Sequence, residues 1–281
     1  MKFEKWQALG NDYLILEEER LPWPLNSKRV EWLCDQHFGV GSDGVLLLSR
    51  SDDPRFVAEL RIFNPDGSEA ELSGNGAREA ILYLRRHGWT DEDTFTIATA
   101  AGPIVPTITG ELTCTVEMGR ASISSKDFPS GGEDGAGTLR AAGREWAFQH
   151  VSIGNPQCAI VVGEELDDLD LDEIGPQIEG HELFPNRTNV SFLAIDGSRV
   201  RARIFERGVG ETLSSGTGAA GAAVSAFLRG APSPIVVELE GGELEVELEE
   251  DLAVRLSGWA EPVYSGELSP ELIEALSELE G

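Results

Sequence analysis

Runs of alternating or continuous apolar residues about five to nine long recur along the chain, a length that suits short strands better than helices. The opening FEKWQALGNDYLIL, residues 3 to 16, reads as two strands around a turn at Gly10, Asn11 and Asp12. A helix is expected around Ser27 to Gln36. The glycine-dense GVGSDGVLLL, residues 39 to 48, then reads as a loop feeding a buried strand. Strand patterns follow at 95–109 and 112–118, and again through HVSIGNPQCAIVV and RTNVSFLAI. Near the C-terminus the stretches 235–240 and 243–256 read as strands at the edge of a sheet.

Helical patterns are fewer. One should run from about Arg78 through Ile81 and Leu84 to a stop at Gly88. A second, alanine-rich, should pass through Val224 and Phe227 to Gly230, and an acidic one should lie near 167–178. The tail SPELIEALSELEG has Ser269 as cap and Pro270 in the first turn, with Leu272, Ile273 and Leu276 on one face, so it should dock as a helix. Strands mixed with single helices, without strict alternation, predict an α+β fold. The segment 124–144, rich in Gly, Ser and Asp, is expected to be a mobile loop near a domain boundary.

Composition narrows the classes. The 281 residues suggest two domains. No apolar run approaches the roughly 18 residues of a membrane span, and the N-terminus lacks a signal-peptide plan, so a cytoplasmic protein is expected. Fifty acidic residues against 22 basic ones give a formal charge of −28, which repels nucleic acid. Three widely spaced cysteines, Cys34, Cys114 and Cys158, show neither disulfide nor metal spacing and are expected to be free and buried. GVGSDG lacks the Gly-Lys-Ser/Thr ending of a phosphate loop and opens a strand, so nucleotide binding is set aside.

One stretch occurs twice. Residues 61–77, RIFNPDGSEAELSGNGA, align without a gap on 203–219, RIFERGVGETLSSGTGA, with eight identities in 17 positions. Random matching gives roughly one. Each copy ends in Ser-Gly-x-Gly-Ala opening an apolar helix, whose unpaired N–H groups and dipole suit a carboxylate or oxyanion. A lone copy would be explained by close helix packing. Two copies predict two similar lobes sharing one anion site.

Six blocks then resemble the diaminopimelate epimerase family in order and nearly throughout the chain. They are GND (10–12), GVGSDG (39–44), NPDGSEAELSGNGAR (64–78), GNPQ (154–157), RTNV (187–190) and ERGVGETLSSGTGA (206–219). The resemblance implies two lobes from an internal duplication, each a β-barrel-like mixed sheet around a central helix, with substrate in the cleft between them. The lobes are expected at 1–119, completed by 262–281, and at 120–261.

The implied reaction inverts the α-carbon of diaminopimelate, LL to meso, in lysine and cell-wall precursor biosynthesis, without pyridoxal phosphate, other cofactor or metal. Two cysteines act there as acid and base on opposite faces of the carbon. By resemblance, Asn11, Asn64, Asn189 and Arg207 hold the far amine and carboxylate, and Asn155 and Glu206 make further polar contacts. Gly74, Asn75, Gly216 and Thr217 present N–H groups to the reacting carboxylate. The expected partner is a small dicarboxylic amino acid, with a homodimer as the assembly and neither nucleic acid nor membrane involved.

The departures fall on the chemistry. Both catalytic cysteine positions hold serine, Ser73 and Ser215, and the family's common histidine in the GNPH block is Gln157. An alkyl hydroxyl is scarcely ionised without an adjacent base, and neither histidine nor lysine adjoins either serine in sequence. Two other readings therefore stand beside the epimerase: a divergent cofactor-independent isomerase or dehydratase of the same superfamily, and a non-catalytic amino-acid-binding protein.

Overall fold

The computed structural model describes residues 1–71 and 73–279. Its chain divides into two compact units, Met1–Val116 together with the segment from Trp259 onward, and Glu117–Gly258.

The first unit begins with a hairpin of β1 (Lys2–Ala8) and β2 (Asn11–Glu17), in which Ala8 pairs with Asn11. Its two-residue turn, Leu9-Gly10, takes positive φ at both positions, the geometry that matches strand twist in tight hairpins. Asn11 and Asp12 thus open the second strand, whereas the sequence suggested that they belong to the turn. After α1 (Ser27–Cys34) come β3 (Val45–Ser49), β4 (Ala58–Phe63), the short β5 (Glu69–Ala70) and α2 (Gly74–Arg86). The expected stretch 95–109 resolves into three strands, β6 (Ile97–Thr99), β7 (Gly102–Ile104) and β8 (Pro106–Ile108). With the late strand β19 (Glu261–Glu267) at its edge, the sheet order β19-β1-β2-β3-β4-β6-β7 is mixed, with β2–β3 and β4–β6 parallel.

The unit boundary falls within β9 (Thr113–Arg120). The second unit contains β10 (Ala136–Ala141), β11 (Arg144–Ser152), β12 (Pro156–Val161), α3 (Leu171–Glu179), β13 (Asn189–Asp196) and β14 (Arg199–Glu206). There follow β15 (Gly210–Thr212), α4 (Gly216–Phe227), β16 (Ile235–Leu239), β17 (Gly242–Leu248) and β18 (Ala253–Trp259). Its strands run in the order β10-β11-β12-β13-β14-β16-β17-β18, with β12–β13 and β14–β16 parallel. The chain returns through β19 (Glu261–Glu267) to α5 (Pro270–Ser277), which Ser269 caps through Leu272 N and which buries Leu276.

Connectivity repeats with the sequence: β1-β2-α1-β3-β4-β5-α2-β6-β7 in one unit is β11-β12-α3-β13-β14-β15-α4-β16-β17 in the other. The identities have structural causes. Arg61 grips Glu69 by two hydrogen bonds of 2.9 and 2.8 Å across β4–β5, and Arg203 grips Glu211 likewise at 2.8 and 3.0 Å across β14–β15. Each fork ties the strand to the hairpin that leads into a central helix. Those helices are buried over most of their length, α2 packing against β1, β2 and β3, and α4 against six strands of its unit. Close packing demands the glycines: a Cβ on Gly76 would lie 2.9 Å from a Leu46 methyl, and one on Gly218 would lie 2.6 Å from a methyl of Ile204.

Two expectations are corrected. The segment 124–144 is not wholly a loop: β10 occupies Ala136–Ala141 and pairs with β11, while Phe128, Leu139 and Ala141 join the core. Gly137 there is a packing residue, since a Cβ would sit 2.5 Å from the Phe148 ring. Compositional simplicity hid three apolar anchors. The stretch 243–256 is two strands, β17 and β18, broken by a turn in which Leu252 takes φ 63°.

Candidate active site

In the first unit Ser73 is the N-cap of α2, its Oγ accepting from Gly76 N at 3.1 Å. This satisfies one of the orphan donors of the first helical turn. Asn75 is buried, and its Oδ1 accepts from Arg78 Nη2 at 2.5 Å. Its amide nitrogen lies 3.4 Å from Asn11 Oδ1, and Asn11 in turn donates to Asp43 Oδ2 at 3.0 Å. Asp43 also accepts from Asp12 N, and Asp12 accepts from Asp43 N, so the GND and GVGSDG blocks lock onto each other. Lys5 neutralises part of this carboxylate pair through Asp12 at 2.7 Å. Asn64 stands apart, its side chain bonded to Ser68 Oγ at 2.9 Å within its own turn.

In the second unit Ser215 caps α4 in the same way, accepting from Gly218 N at 3.2 Å. It also donates to Glu206 Oε2 at 3.0 Å, while Thr212 donates to Glu206 Oε1 at 2.9 Å. The cause is the β14–β15 hairpin: Glu206 faces Gly210, so Thr212 is its diagonal neighbour on the same face. Burial raises the Glu206 carboxyl above its ordinary value, and the Thr212 and Ser215 hydroxyls oppose that rise.

Asn189 is buried, accepting from Arg207 N at 2.8 Å and donating to Pro156 O at 3.0 Å. The Arg207 side chain donates to Asn186 O at 2.9 Å. Asn155 donates to Thr217 Oγ1 at 3.1 Å, and the fully buried Gln157 donates to Asn155 Oδ1 at 2.7 Å. Glutamine at 157 therefore orients Asn155 and the first turn of α4. Its own Oε1 is buried without a partner among the described residues.

Structure thus gathers Asn11 with Asn75 around Ser73's helix, and Asn155, Thr217, Glu206 and Ser215 around the other, while Asn189 holds the Arg207 backbone. Sequence reading missed Asp43, Arg78 and Thr212 as the residues that hold these groups. Each lies inside a motif block, but only strand register and helix phase reveal what it touches.

The three cysteines are free and buried. Burial raises all three thiols, Cys114 to about 12, which suits none of them to proton transfer at neutral pH. Among the described residues no group of three or more His, Cys, Asp or Glu is placed to hold a metal, and no helix is long and apolar enough to cross a membrane.

A duplicated α+β unit with a capped, buried central helix defines the two-lobed epimerase class of fold. Solved structures agree: a predicted epimerase from Pseudomonas aeruginosa superposes with a TM-score of 0.66 at 18% identity, over 95% of this chain and 98% of that one. A hydroxyproline epimerase from Agrobacterium vitis, with bound trans-4-hydroxy-L-proline, gives 0.63 at 16%, over 95% and 91%. At the sequence level the chain matches the diaminopimelate epimerase family over residues 3–124 and 149–259. Diaminopimelate epimerase 2 of Nostoc sp. is 40% identical over 281 residues, covering 97% of each chain. A diaminopimelate epimerase of Synechococcus sp. is 39% identical over 95% of this chain and 97% of its own. The chain belongs to the diaminopimelate epimerase family, a family of isomerases.

Proposed function

We propose that this protein inverts the α-carbon of diaminopimelate, LL to meso, without pyridoxal phosphate, as a cytoplasmic homodimer in amino-acid biosynthesis. The observation that carries the reading is the duplicated cap: each central helix starts at a serine hydroxyl, Ser73 or Ser215, that accepts from the N–H three residues on at the positive end of the helix dipole. The first-turn N–H groups suit the substrate carboxylate and the charge that spreads into it when the α-proton leaves. Ser73 and Ser215 take the two proton-transfer positions. Gly74 and Asn75, with Gly216 and Thr217, receive the reacting carboxylate. Asn11, Asn64, Asn155, Asn189, Glu206 and Arg207 supply the polar contacts, Arg207 meeting the far carboxylate. Incubation with LL-diaminopimelate and no added cofactor tests this: the meso isomer should appear on chiral chromatography. Binding without any change of configuration or loss of α-proton in D2O would contradict it.

A second reading, a cofactor-independent isomerase or dehydratase, is favoured by one observation. Serine replaces both thiols while a carboxylate, Glu206, sits beside one of them. Turnover of another α-amino acid by a protein inert toward diaminopimelate would establish that reading instead.

A further inference from the structure

The two copies of the duplication diverge immediately after their cap segments. Arg78 and Glu79 of α2 stand where the aligned positions of α4 hold Ala220 and Gly221. In the second unit the glycine makes room for a neutral side chain, since a Cβ on Gly221 would lie 2.9 Å from Gln157 Cβ. In the first unit the same level of the helix carries a fully buried guanidinium.

Arg78 is held by neutral groups. Its Nη1 donates to Gly74 O at 3.1 Å and its Nη2 to Asn75 Oδ1 at 2.5 Å, and no carboxylate among the described residues bonds to it. Glu79 alongside is buried without a hydrogen-bond partner among the described residues, and burial, by raising its carboxyl, makes it a poor counterion. A buried cation placed so is costly, and calls for a balancing charge reached through its hydrogen bonds.

A chain of bonds supplies one. It runs from Arg78 to Asn75 Oδ1, from Asn75 Nδ2 to Asn11 Oδ1 at 3.4 Å, and from Asn11 Nδ2 to Asp43 Oδ2 at 3.0 Å. Every donor points the same way, from cation to anion. A guanidinium only donates, so Asn75 must turn its oxygen to Arg78; an ionised carboxylate only accepts, so Asn11 must turn its nitrogen to Asp43. The groups left facing each other, Asn75 Nδ2 and Asn11 Oδ1, are then a matched pair. All four residues belong to the first unit.

The second unit repeats these positions without the end charges. Asn155 follows Gly154 as Asn11 follows Gly10, and Thr217 aligns with Asn75. Asn155 Nδ2 donates to Thr217 Oγ1 at 3.1 Å, and Gln157 Nε2 to Asn155 Oδ1 at 2.7 Å. Each of these groups both donates and accepts, so that chain can reverse as a whole.

We propose that Arg78 and Asp43 are positioning residues, which from opposite ends fix the amides of Asn75 and Asn11 in one orientation and so preorganise the first unit's polar groups for the substrate. This rests on the function proposed above, in which Asn11 and Asn75 meet the substrate, and adds what holds them. Preorganisation lowers the cost of ordering these groups when the ligand binds. Removing either end lets the whole chain reverse, so removing the second end adds little.

The experiment is a double-mutant cycle in calorimetric affinity for LL-diaminopimelate, using the native protein, Asp43→Asn, Arg78→Gln and the double variant. Each substitution replaces a one-way group by an amide that both donates and accepts. Either single variant should bind about 10-fold more weakly. The double variant should lie within about 3-fold of the singles, because residues of one hydrogen-bond network couple. A second cycle avoids Arg78: on an Asn11→Ala background, Asp43→Asn should change affinity less than about 2-fold. A failure of Arg78→Gln to fold therefore leaves the decision intact. A double-variant loss of about 100-fold, the product of independent effects, would overturn the chain. So would native affinity in Asp43→Asn, or an undiminished effect of Asp43→Asn once Asn11 is gone; each leaves the epimerase reading standing. No binding of diaminopimelate by the native protein would overturn both inferences.

Discussion

Ser215 Oγ donates to Glu206 Oε2 at 3.0 Å, which gives one of the two duplicated serines a carboxylate partner that the sequence did not disclose. Without such a partner a serine hydroxyl is scarcely ionised and makes a poor proton acceptor. Proton removal should therefore follow the ionisation of Glu206, which burial raises. The pH profile of α-proton exchange should rise with pH, and its acidic limb should lie above the range of an exposed glutamate. Thr212→Val removes a hydroxyl that opposes the rise and should move the limb higher still. A limb at the ordinary carboxylate position in both proteins would contradict this.

Arg207 has two attachments with different meanings. Its backbone N–H is held by Asn189 and its guanidinium by the Asn186 carbonyl, which leaves further donors for a ligand. Arg207→Ala should weaken diaminopimelate binding by about 2 kcal/mol in calorimetry, because a carboxylate loses a charge-assisted partner. Unchanged affinity with a lowered melting temperature would show that the side chain only braces the loop.

Glu79 is fully buried on α2 next to Arg78, and burial holds its carboxyl well above the ordinary value. The folded protein thus keeps a proton that the unfolded chain releases. This stabilisation is complete below the unfolded carboxylate value and is lost as pH rises toward the folded one. Relative to Glu79→Gln, the native protein should lose stability between pH 5 and 7 by at most about 1.4 kcal/mol per pH unit. Denaturant melts of the two proteins that stay parallel across this range would contradict it.

The charge of −28 makes a further expectation. Exposed surface pairs such as Arg255–Glu247 and Arg120–Asp251 contribute little, and salt weakens them. Repulsion among the excess carboxylates is the larger effect and is also screened, with a Debye length of about 10 Å at 0.1 M and 3 Å at 1 M. Melting temperature should rise by several degrees over that range of sodium chloride. A fall would mean that the ion pairs dominate.

Much of this was legible in the chain itself. The 17-position repeat foretold two units of the same connectivity, because Arg61–Glu69 and Arg203–Glu211 make the same fork in each. Ser269 was readable as a cap, and Ser-Gly-x-Gly-Ala at 73–77 and 215–219 as the opening of a helix, because a helix start is a local device; that Ser73 and Ser215 are themselves the caps is seen in the structure. What stayed hidden depended on register. Glu206 meets Thr212 only through the pairing of β14 with β15, and Asn11 meets Asp43 only when the first hairpin and the loop before β3 come together. The strand at Ala136–Ala141 was masked by glycines that serve packing, as Gly137 does against Phe148.

The central claim is that α-proton chemistry takes place at the two duplicated helix caps. Restoring thiols there tests it most directly: the rate of LL-to-meso inversion should be measured for the native protein, each single cysteine variant, and Ser73→Cys with Ser215→Cys together. Each thiol would stand at a helix N-terminus that favours its thiolate, so the double variant should invert diaminopimelate faster than the native protein by about 100-fold or more. Either single variant should gain far less, since inversion needs a base on one face and an acid on the other. A folded double variant that binds diaminopimelate yet inverts it no faster than the native protein would contradict the claim.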